Sequence, residues 1–273
     1  MSGANAIRQM LLFAGAVRAT PLLKAAGRNV LDLPLTADET VGQRWIAAHE
    51  RLGEHLGSAP DLGVLIDRHS SKPASMPSDR SSVEPDDVAF LGTGGVLRAA
   101  ASERQGLMLV ATGGCVLRQP LTEVVDLLLG LDADVALLAE HDGTPTGIML
   151  VSAEAMRAIP GSGYLDFKEQ CLPKIAQTHR VRVAYASRGQ RASLPMRDRE
   201  QYLEALGVVH GGAPFAIVER GAEVNASARM REAVVLRGAR VGAGAVVARC
   251  VLGPGSVVTK GQVLTDRSTG ATA

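Results

Sequence analysis

The sequence predicts an α/β protein with a Rossmann-like, mostly parallel sheet, followed by a short left-handed parallel β-helix. Two observations support this fold class. Over about the first 206 residues, short apolar runs that are typical of strands alternate with amphipathic helical segments. Beyond Gly207 the helical pattern disappears, and Val, Ala and Gly dominate a segment that repeats itself.

The strand signals come first. Gln9–Gly15 is an apolar run that is expected to be buried on both faces, whereas Val181–Ala186 alternates between apolar and other residues. Between these two segments lie four further strands. They are predicted at Asp61–Ile66, Gly106–Ala111, Val135–Ala139 and Gly147–Val151.

Helices are predicted between these strands. The longest, Thr40–Leu56, has apolar residues at helical spacing, including Val41, Trp45 and Leu52. The stretch Ser70–Asp87 is rich in Ser, Pro and Asp and is predicted to be an exposed loop. The other helices are predicted at Gly94–Ala101, Leu121–Leu129, Ala153–Ala158, Asp166–Gln177 (broken by Pro173) and Asp198–Leu206.

The C-terminal segment contains an internal repeat. Residues 224–240 (VNASARMREAVVLRGAR) align without gaps with residues 241–257 (VGAGAVVARCVLGPGSV). Aliphatic residues recur at steps of six, five and six residues, which suits a triangular coil of three short strands with small residues at its corners. The alternative is an Ala-, Gly- and Val-rich hairpin region.

These signals divide the chain into an α/β domain (1–206), a linker (207–220), the β-helix (221–266) and a disordered tail (267–273). The 29 Lys and Arg residues nearly cancel the 28 Asp and Glu residues, so the overall charge favours neither nucleic acid nor an anionic membrane as a partner. Three cysteines that lie far apart indicate reduced thiols and a cytoplasmic protein. No apolar run is long enough to span a bilayer.

Five stretches in fixed order resemble the sugar-1-phosphate nucleotidyltransferases, also called nucleotide-sugar pyrophosphorylases, which carry an α/β domain before a β-helix. They are Pro21–Val30 (PLLKAAGRNV), Leu91–Leu97 (LGTGGVL), Leu109–Leu129, Gly163–Ile175 (GYLDFKEQCLPKI) and Gln201–Leu206 (QYLEAL). The resemblance implies nucleotide binding and transfer of a nucleotidyl group to a sugar phosphate. In this family a Gly-rich loop, a Lys and two Asp residues that hold Mg²⁺ perform the transfer.

The phosphate-binding loop of this family is reduced in the present chain. Only Gly15 remains of its glycines, and Ala19 and Thr20 occupy the positions of its Pro-Lys pair. Arg18 and Lys24 are cations that could replace the missing Lys, but neither lies at the matching position, and the interpretation as ordinary surface residues is favoured.

The two metal-binding positions of the family are also changed. The family's Asn-Gly-Asp motif aligns with Thr112–Gly114, so that Gly114 replaces the first Asp, and Pro195 replaces the second. Neighbouring Cys115 is a poor Mg²⁺ ligand because hard cations prefer oxygen. The stretch between Ala139 and Ile148 is too short for the family's sugar-binding segment. We therefore predict no catalytic and no metal-binding residues.

The turn Leu91–Leu97, which resembles the family's base- and ribose-binding segment, is the best retained of the resembling segments. Its backbone could approach a nucleotide, or its glycines could serve packing alone. The predicted nucleotide-binding residues are Gly15, Arg18, Lys24, Leu91, Gly92, Thr93, Gly94 and Gly95.

The sequence thus predicts a catalytically inactive nucleotidyltransferase-like protein of nucleotide-sugar or polysaccharide metabolism, which binds a nucleotide or nucleotide sugar as a regulator or subunit. No cofactor is expected, and Mg²⁺ is expected only if the protein is active. Self-association through the β-helix, or association with a related catalytic subunit, is expected. The alternatives are an active nucleotidyltransferase with a rebuilt phosphate loop, a hexapeptide-repeat acyltransferase and a purely structural module that binds no nucleotide. The second is weakened because no His follows His210.

Overall fold

A computed structural model of the chain describes residues 6–15, 20–66, 72–85, 88–187 and 191–270. A seven-stranded sheet forms the N-terminal part, with strand order β3-β2-β1-β4-β7-β6-β8. Strands β5 and β9 form a separate antiparallel ribbon. The strands are β1 (Ile7–Phe13), β2 (Asp61–Ile66), β3 (Ser82–Pro85), β4 (Leu107–Thr112), β5 (Cys115–Leu117), β6 (Val135–Ala139), β7 (Pro145–Ser152), β8 (Val181–Tyr185) and β9 (Ser193–Pro195).

The predicted mostly parallel sheet is confirmed. Only β7 runs antiparallel to its neighbours, β4 and β6, and every other neighbouring pair in this sheet is parallel. The predicted loop Ser70–Asp87 is wrong in its last part, because β3 pairs there with β2 in parallel. Its composition predicts a loop, but the edge of β2 allows four consecutive residues, Ser82–Pro85, to pair with it in register.

Helices cover both faces of this sheet. Thr40 caps the longest helix with a capping box, in which its side chain accepts from Gln43 N and the Gln43 side chain accepts from Thr40 N. The helices are α1 (Pro21–Ala26), α2 (Val41–Leu56), α3 (Val88–Ala101), α4 (Leu121–Leu129), α5 (Ala153–Arg157), α6 (Leu172–Ile175) and α7 (Arg199–Val209), with a 3₁₀ turn at Val30–Asp32 and a π-helical turn at Phe167–Cys171.

Two apolar layers hold this arrangement together. On one face, side chains of β1 and β4 pack with α1, α2, α4 and α7 around residues such as Trp45, whose Nε1 donates to the Gly113 carbonyl at 2.8 Å. On the other face, Met108 and Val110 pack with α3, α5 and the π-helical turn. The sheet is therefore buried on both sides, which explains the nearly continuous apolar character of its central strands.

The C-terminal region consists of short parallel strands in three sheets, an arrangement consistent with a β-helix. Successive rungs are offset by 17 residues, since Glu223 pairs with Arg240 and Arg240 with Val257. The strands are β10 (Ala216–Val218), β11 (Glu223–Val224), β12 (Arg229–Arg231), β13 (Ala233–Val235), β14 (Arg240–Val241), β15 (Val246–Ala248), β16 (Val251–Leu252), β17 (Val257–Val258), β18 (Val263–Thr265) and β19 (Ser268–Thr269). Small and aliphatic side chains such as Ala239, Val247 and Leu252 fill the interior.

The coil extends beyond its predicted bounds at both ends. Strand β10 lies within the predicted linker and pairs with β13. Strand β19 lies within the tail predicted to be disordered and pairs with β16, while residues 271–273 lie outside the described part. The two end strands form because they hydrogen-bond to the adjacent rung. The sequence does not predict them, because a strand of two or three residues is too short to show a hydrophobic pattern.

The coil packs against the N-terminal part through α1, which contacts β16 and β19. Two glycines, Gly253 and Gly270, lie so close to the Ala25 carbonyl that an added Cβ would come within 1.6 Å and 2.2 Å of its oxygen. Nearby, Arg28 pairs with Glu219 at 2.6 Å. Among the described helices, none is long and apolar enough to cross a membrane.

Candidate functional site

A cavity of about 660 Å³ opens at the carboxyl ends of β1, β4 and β6. In open α/β sheets, ligands bind beyond the carboxyl ends of the parallel strands, because loops there leave a crevice above the sheet. The first half of β7 closes one side, and α3 with the π-helical turn closes another. The lining residues are Phe13, Gly15, Thr93, Leu97, Val110, Ala111, Thr112, Leu137, Leu138, Ala139, Gly143, Pro145, Gly147, Ile148, Met149, Asp166, Phe167, Lys168, Leu172 and Val183.

The lining of this cavity is mostly apolar and includes a few polar side chains. Thr112 and Lys168 are exposed, and Asp166 is half-buried. One Asp166 oxygen accepts hydrogen bonds from Lys168 N and Glu169 N, both at 2.9 Å, so this carboxylate caps the π-helical turn. A mostly apolar lining with a few polar groups is the usual character of a small-molecule site.

The glycine-rich turn from Leu91 to Gly95 packs against a neighbouring segment. Leu165 N donates to the Leu91 carbonyl and Gly94 N donates to the Leu165 carbonyl, both at 2.9 Å. Gly92 has a φ of 69°, and a Cβ there would lie 2.3 Å from the Leu165 oxygen. This turn needs glycine for backbone packing, whether or not it also binds a ligand.

The predicted nucleotide-binding residues fall in different places. Gly15 and Thr93 line the cavity, and Thr93 Oγ1 also accepts a hydrogen bond from Phe167 N at 3.0 Å. Lys24 is exposed on α1, the helix that packs against the coil, and Arg18 lies outside the described residues. Nucleotide binding by these residues stays a prediction.

The two positions that align with the family's metal-binding Asp residues are neighbours in space. Strands β5 and β9 pair Cys115 with Pro195, and Met196 N donates to the Gly114 carbonyl at 3.0 Å. Gly114 itself faces Val30, whose side chain would lie 3.3 Å from an added Cβ. These two positions are thus neighbours, and they hold a glycine and a proline. Within the described ranges, no group of three or more His, Cys, Asp or Glu residues could hold a metal ion.

Cys115 is a buried neutral thiol beside these positions. Its Sγ donates to the Thr112 carbonyl at 3.1 Å. Burial raises the pKa of the Cys115 thiol from 9.0 to about 12, because the charged thiolate loses its hydration. A thiol in this state is neither a nucleophile nor a metal ligand at neutral pH.

A second cavity, of about 480 Å³, lies between α7 and the coil, and nothing in the sequence indicated it. Its rim is charged: Arg249 holds Asp266 with two hydrogen bonds of 2.8 and 2.7 Å, which lower the pKa of the Asp266 carboxyl. Arg199 also lies near Asp266, at 3.8 Å. Ion pairs join Arg199, Arg231 and Arg249 to neighbouring carboxylates, so the charges of the rim are largely matched within the protein.

The fold is similar to that of HddC from Yersinia pseudotuberculosis, of which two solved structures match. One has a TM-score of 0.56, and the other, which is complexed with GMP-PN, has a TM-score of 0.54. In both cases the identity is 14%, and the likeness covers 74% of this chain and 99% of HddC. No family model and no curated protein matches the sequence. At this identity the likeness shows the fold alone.

Proposed function

We propose that this chain is a nucleotidyltransferase-like protein of nucleotide-sugar or polysaccharide metabolism that binds a nucleotide or nucleotide sugar but does not transfer it. We also propose that the β-helix is left-handed and that the protein is cytoplasmic. In this proposal the chain acts as a regulator or as a subunit of an assembly. The observation that carries it is a cavity of about 660 Å³ at the carboxyl ends of β1, β4 and β6.

The location and size of this cavity support binding. It lies where open α/β sheets bind their ligands, and its volume is within the range of about 300–1,000 Å³ that small-molecule sites occupy. HddC, which has a similar fold, is complexed with GMP-PN in one of its structures. The apolar lining residues Leu97, Val110 and Ile148 would cover the faces of a nucleobase.

The missing carboxylates support inactivity. Nucleotidyl transfer builds negative charge on phosphate oxygens, and a metal ion held by carboxylates is the usual means of stabilising that charge. Gly114 and Pro195 meet across the β5–β9 ribbon, where neither side chain offers an oxygen ligand. A bound triphosphate would therefore lack a metal held at these two positions.

Binding is tested by calorimetric titration with nucleoside monophosphates, nucleoside triphosphates and nucleotide sugars. Met149 lines the cavity and is half-buried, so Met149→Trp should fill the space and weaken binding by more than about tenfold, or about 1.4 kcal/mol. Leu127→Trp is the matched control, since Leu127 is 43% exposed on α4 and does not line the cavity. If none of these ligands binds, or if both variants weaken binding equally, the proposed site is wrong.

Inactivity is tested separately, by pyrophosphate release from a nucleoside triphosphate and a hexose-1-phosphate with Mg²⁺. We expect no release above that of a heat-inactivated sample. Sustained Mg²⁺-dependent turnover would instead establish an active nucleotidyltransferase with a rebuilt phosphate loop. Binding of an acyl-coenzyme A at the coil, with no nucleotide binding, would favour the acyltransferase.

A further inference from the structure

Within the described residues, the seven-stranded sheet ends on one side in β8, whose outer edge has no neighbouring strand. At the opposite side, the edge strand β3 is short and contains Glu84 and Pro85, and both residue types discourage pairing with another strand. The other edge strand, β8, has the sequence Val-Arg-Val-Ala-Tyr over Val181–Tyr185. It contains neither proline nor an acidic residue.

The hydrogen bonds to β6 show which backbone groups of β8 remain free. Ala186 N donates to the Ala139 carbonyl at 2.8 Å, and the Arg180 carbonyl accepts from Val135 N at 3.1 Å. In a regular strand, successive residues direct their N–H and C=O groups to opposite edges. Even-numbered residues of β8 therefore bond to β6, and Val181, Val183 and Tyr185 direct their N–H and C=O groups outward.

The side chains of the same three residues share one face of the sheet. Val183 is 41% exposed and Tyr185 is 58% exposed, and Val183 also lines the large cavity. On the opposite face, Ala184 is buried and Arg182 is exposed. Free backbone groups and exposed apolar side chains thus coincide on one edge, a combination that favours the addition of another strand.

We propose that β8 pairs antiparallel with β8 of a second copy of this chain, about a two-fold axis at Val183. In this register Val183 lies opposite its own counterpart, and Val181 lies opposite the counterpart of Tyr185. Every outward N–H and C=O group of the three residues then has a partner. The register is self-complementary, as a two-fold interface requires.

Side-chain pairing in this register is also favourable. Valine opposite tyrosine is an aliphatic–aromatic pair, which stabilises neighbouring strands. Arg182 lies opposite the counterpart of Ala184, so that no two arginines face each other directly. A register shifted by one residue along each strand would place Arg182 opposite itself, which like-charge repulsion disfavours.

Dimerisation would join two seven-stranded sheets into one and would change the cavity. Because Val183 lines the cavity, the added strand would lie beside its mouth and extend its wall with apolar side chains. A five-residue edge buries less surface than the roughly 1,200 Å² of a stable complex, so we expect reversible, concentration-dependent association. This surface is separate from the coil.

The test is sedimentation equilibrium of the full-length chain over a wide concentration range, together with Val183→Pro. Proline removes an N–H that points outward and leaves the bonds to β6 intact, so the variant should fold and yet associate at least about tenfold more weakly. Val183→Thr keeps the N–H and a β-branched side chain, and should associate like the parent chain. Circular dichroism and the thermal midpoint confirm that both variants fold.

Hydrogen exchange gives a residue-level readout. In the dimer, the amides of Val181, Val183 and Tyr185 should become protected as concentration rises, whereas those of Arg182 and Ala184 are protected throughout. A chain that stays monomeric at every concentration overturns the proposal. So does a dimer that Val183→Pro leaves intact, or one that forms without added protection of the odd-numbered amides. A monomer whose odd-numbered amides become protected only with an added peptide would assign the edge to another protein.

Discussion

The contact between the coil and α1 makes a strong prediction about Gly253. This glycine lies directly against the Ala25 carbonyl, and the Cβ of an alanine would come within 1.6 Å of its oxygen. A carbon and an oxygen in van der Waals contact are more than about 3 Å apart, so Gly253→Ala requires backbone to move by well over 1 Å. Neither group belongs to a flexible side chain.

The magnitude follows from packing. Overpacking a well-packed core costs about 1–3 kcal/mol, and a clash between two backbone segments belongs at the upper end of this range. For a chain of 273 residues, each kcal/mol lowers the thermal midpoint by about 2–4 °C. We therefore expect Gly253→Ala to lower the midpoint by about 6–12 °C.

The assay compares thermal midpoints with those of a control, Gly207→Ala. Gly207 lies within α7, and an added Cβ meets no atom within 4 Å. Alanine is favoured over glycine in a helix interior by about 0.5–1 kcal/mol, so the control should raise the midpoint by a few degrees. If Gly253→Ala matches the parent chain within about 1 °C, the described contact between the coil and α1 is wrong.

Three further predictions concern single side chains. Tyr202→Phe should lower the free energy of unfolding by about 1–3 kcal/mol in chemical denaturation, because the buried Tyr202 hydroxyl donates to the buried Pro34 carbonyl at 2.5 Å. An unchanged denaturation midpoint would contradict this hydrogen bond. Glu219→Gln should lower stability by about 1–2 kcal/mol, since Glu219 accepts from both Arg28 and Arg237 N, whereas Glu204→Gln should not. Folding raises the pKa of the Cys115 thiol from 9.0 to about 12. Burial of this thiol therefore contributes its full stability below pH 9. That contribution is lost as the pH rises from 9 to about 12, because only the unfolded chain ionises there. A thiol reagent at pH 8 should modify Cys115 only after unfolding, and rapid modification of the folded protein would refute its burial.

Much of the sheet could be predicted from the sequence, because its central strands are buried on both faces and their composition shows this. The bounds of β2 and β6 are as predicted, and α4 spans the predicted Leu121–Leu129. The repeat likewise predicted the rungs of the coil, because each of the three sides of a rung directs one aliphatic side chain into the interior. Local periodicity reports burial, and burial was the information needed.

Features that depend on contact between distant segments could not be predicted in this way. The strand β3 forms because β2 offers it an edge, and β19 forms because β16 does. The sequence could suggest that Gly114 and Pro195 occupy related positions, but only the β5–β9 ribbon makes them neighbours. Thr93 was among the predicted site residues, whereas Leu97, Met149 and the rest of the apolar lining were not, because side chains that line a cavity have the same composition as those that fill a core.

The sequence by itself determined most strands and helices of the α/β part and the place where the chain changes from an α/β pattern to a coil. Only the tertiary structure decided where the cavity lies, which glycines serve close packing and which edge of the sheet stays open. The physical reason is that hydrophobic periodicity is a local property of the chain. Cavities, close contacts and free edges arise from the way distant segments meet, and no local pattern records it.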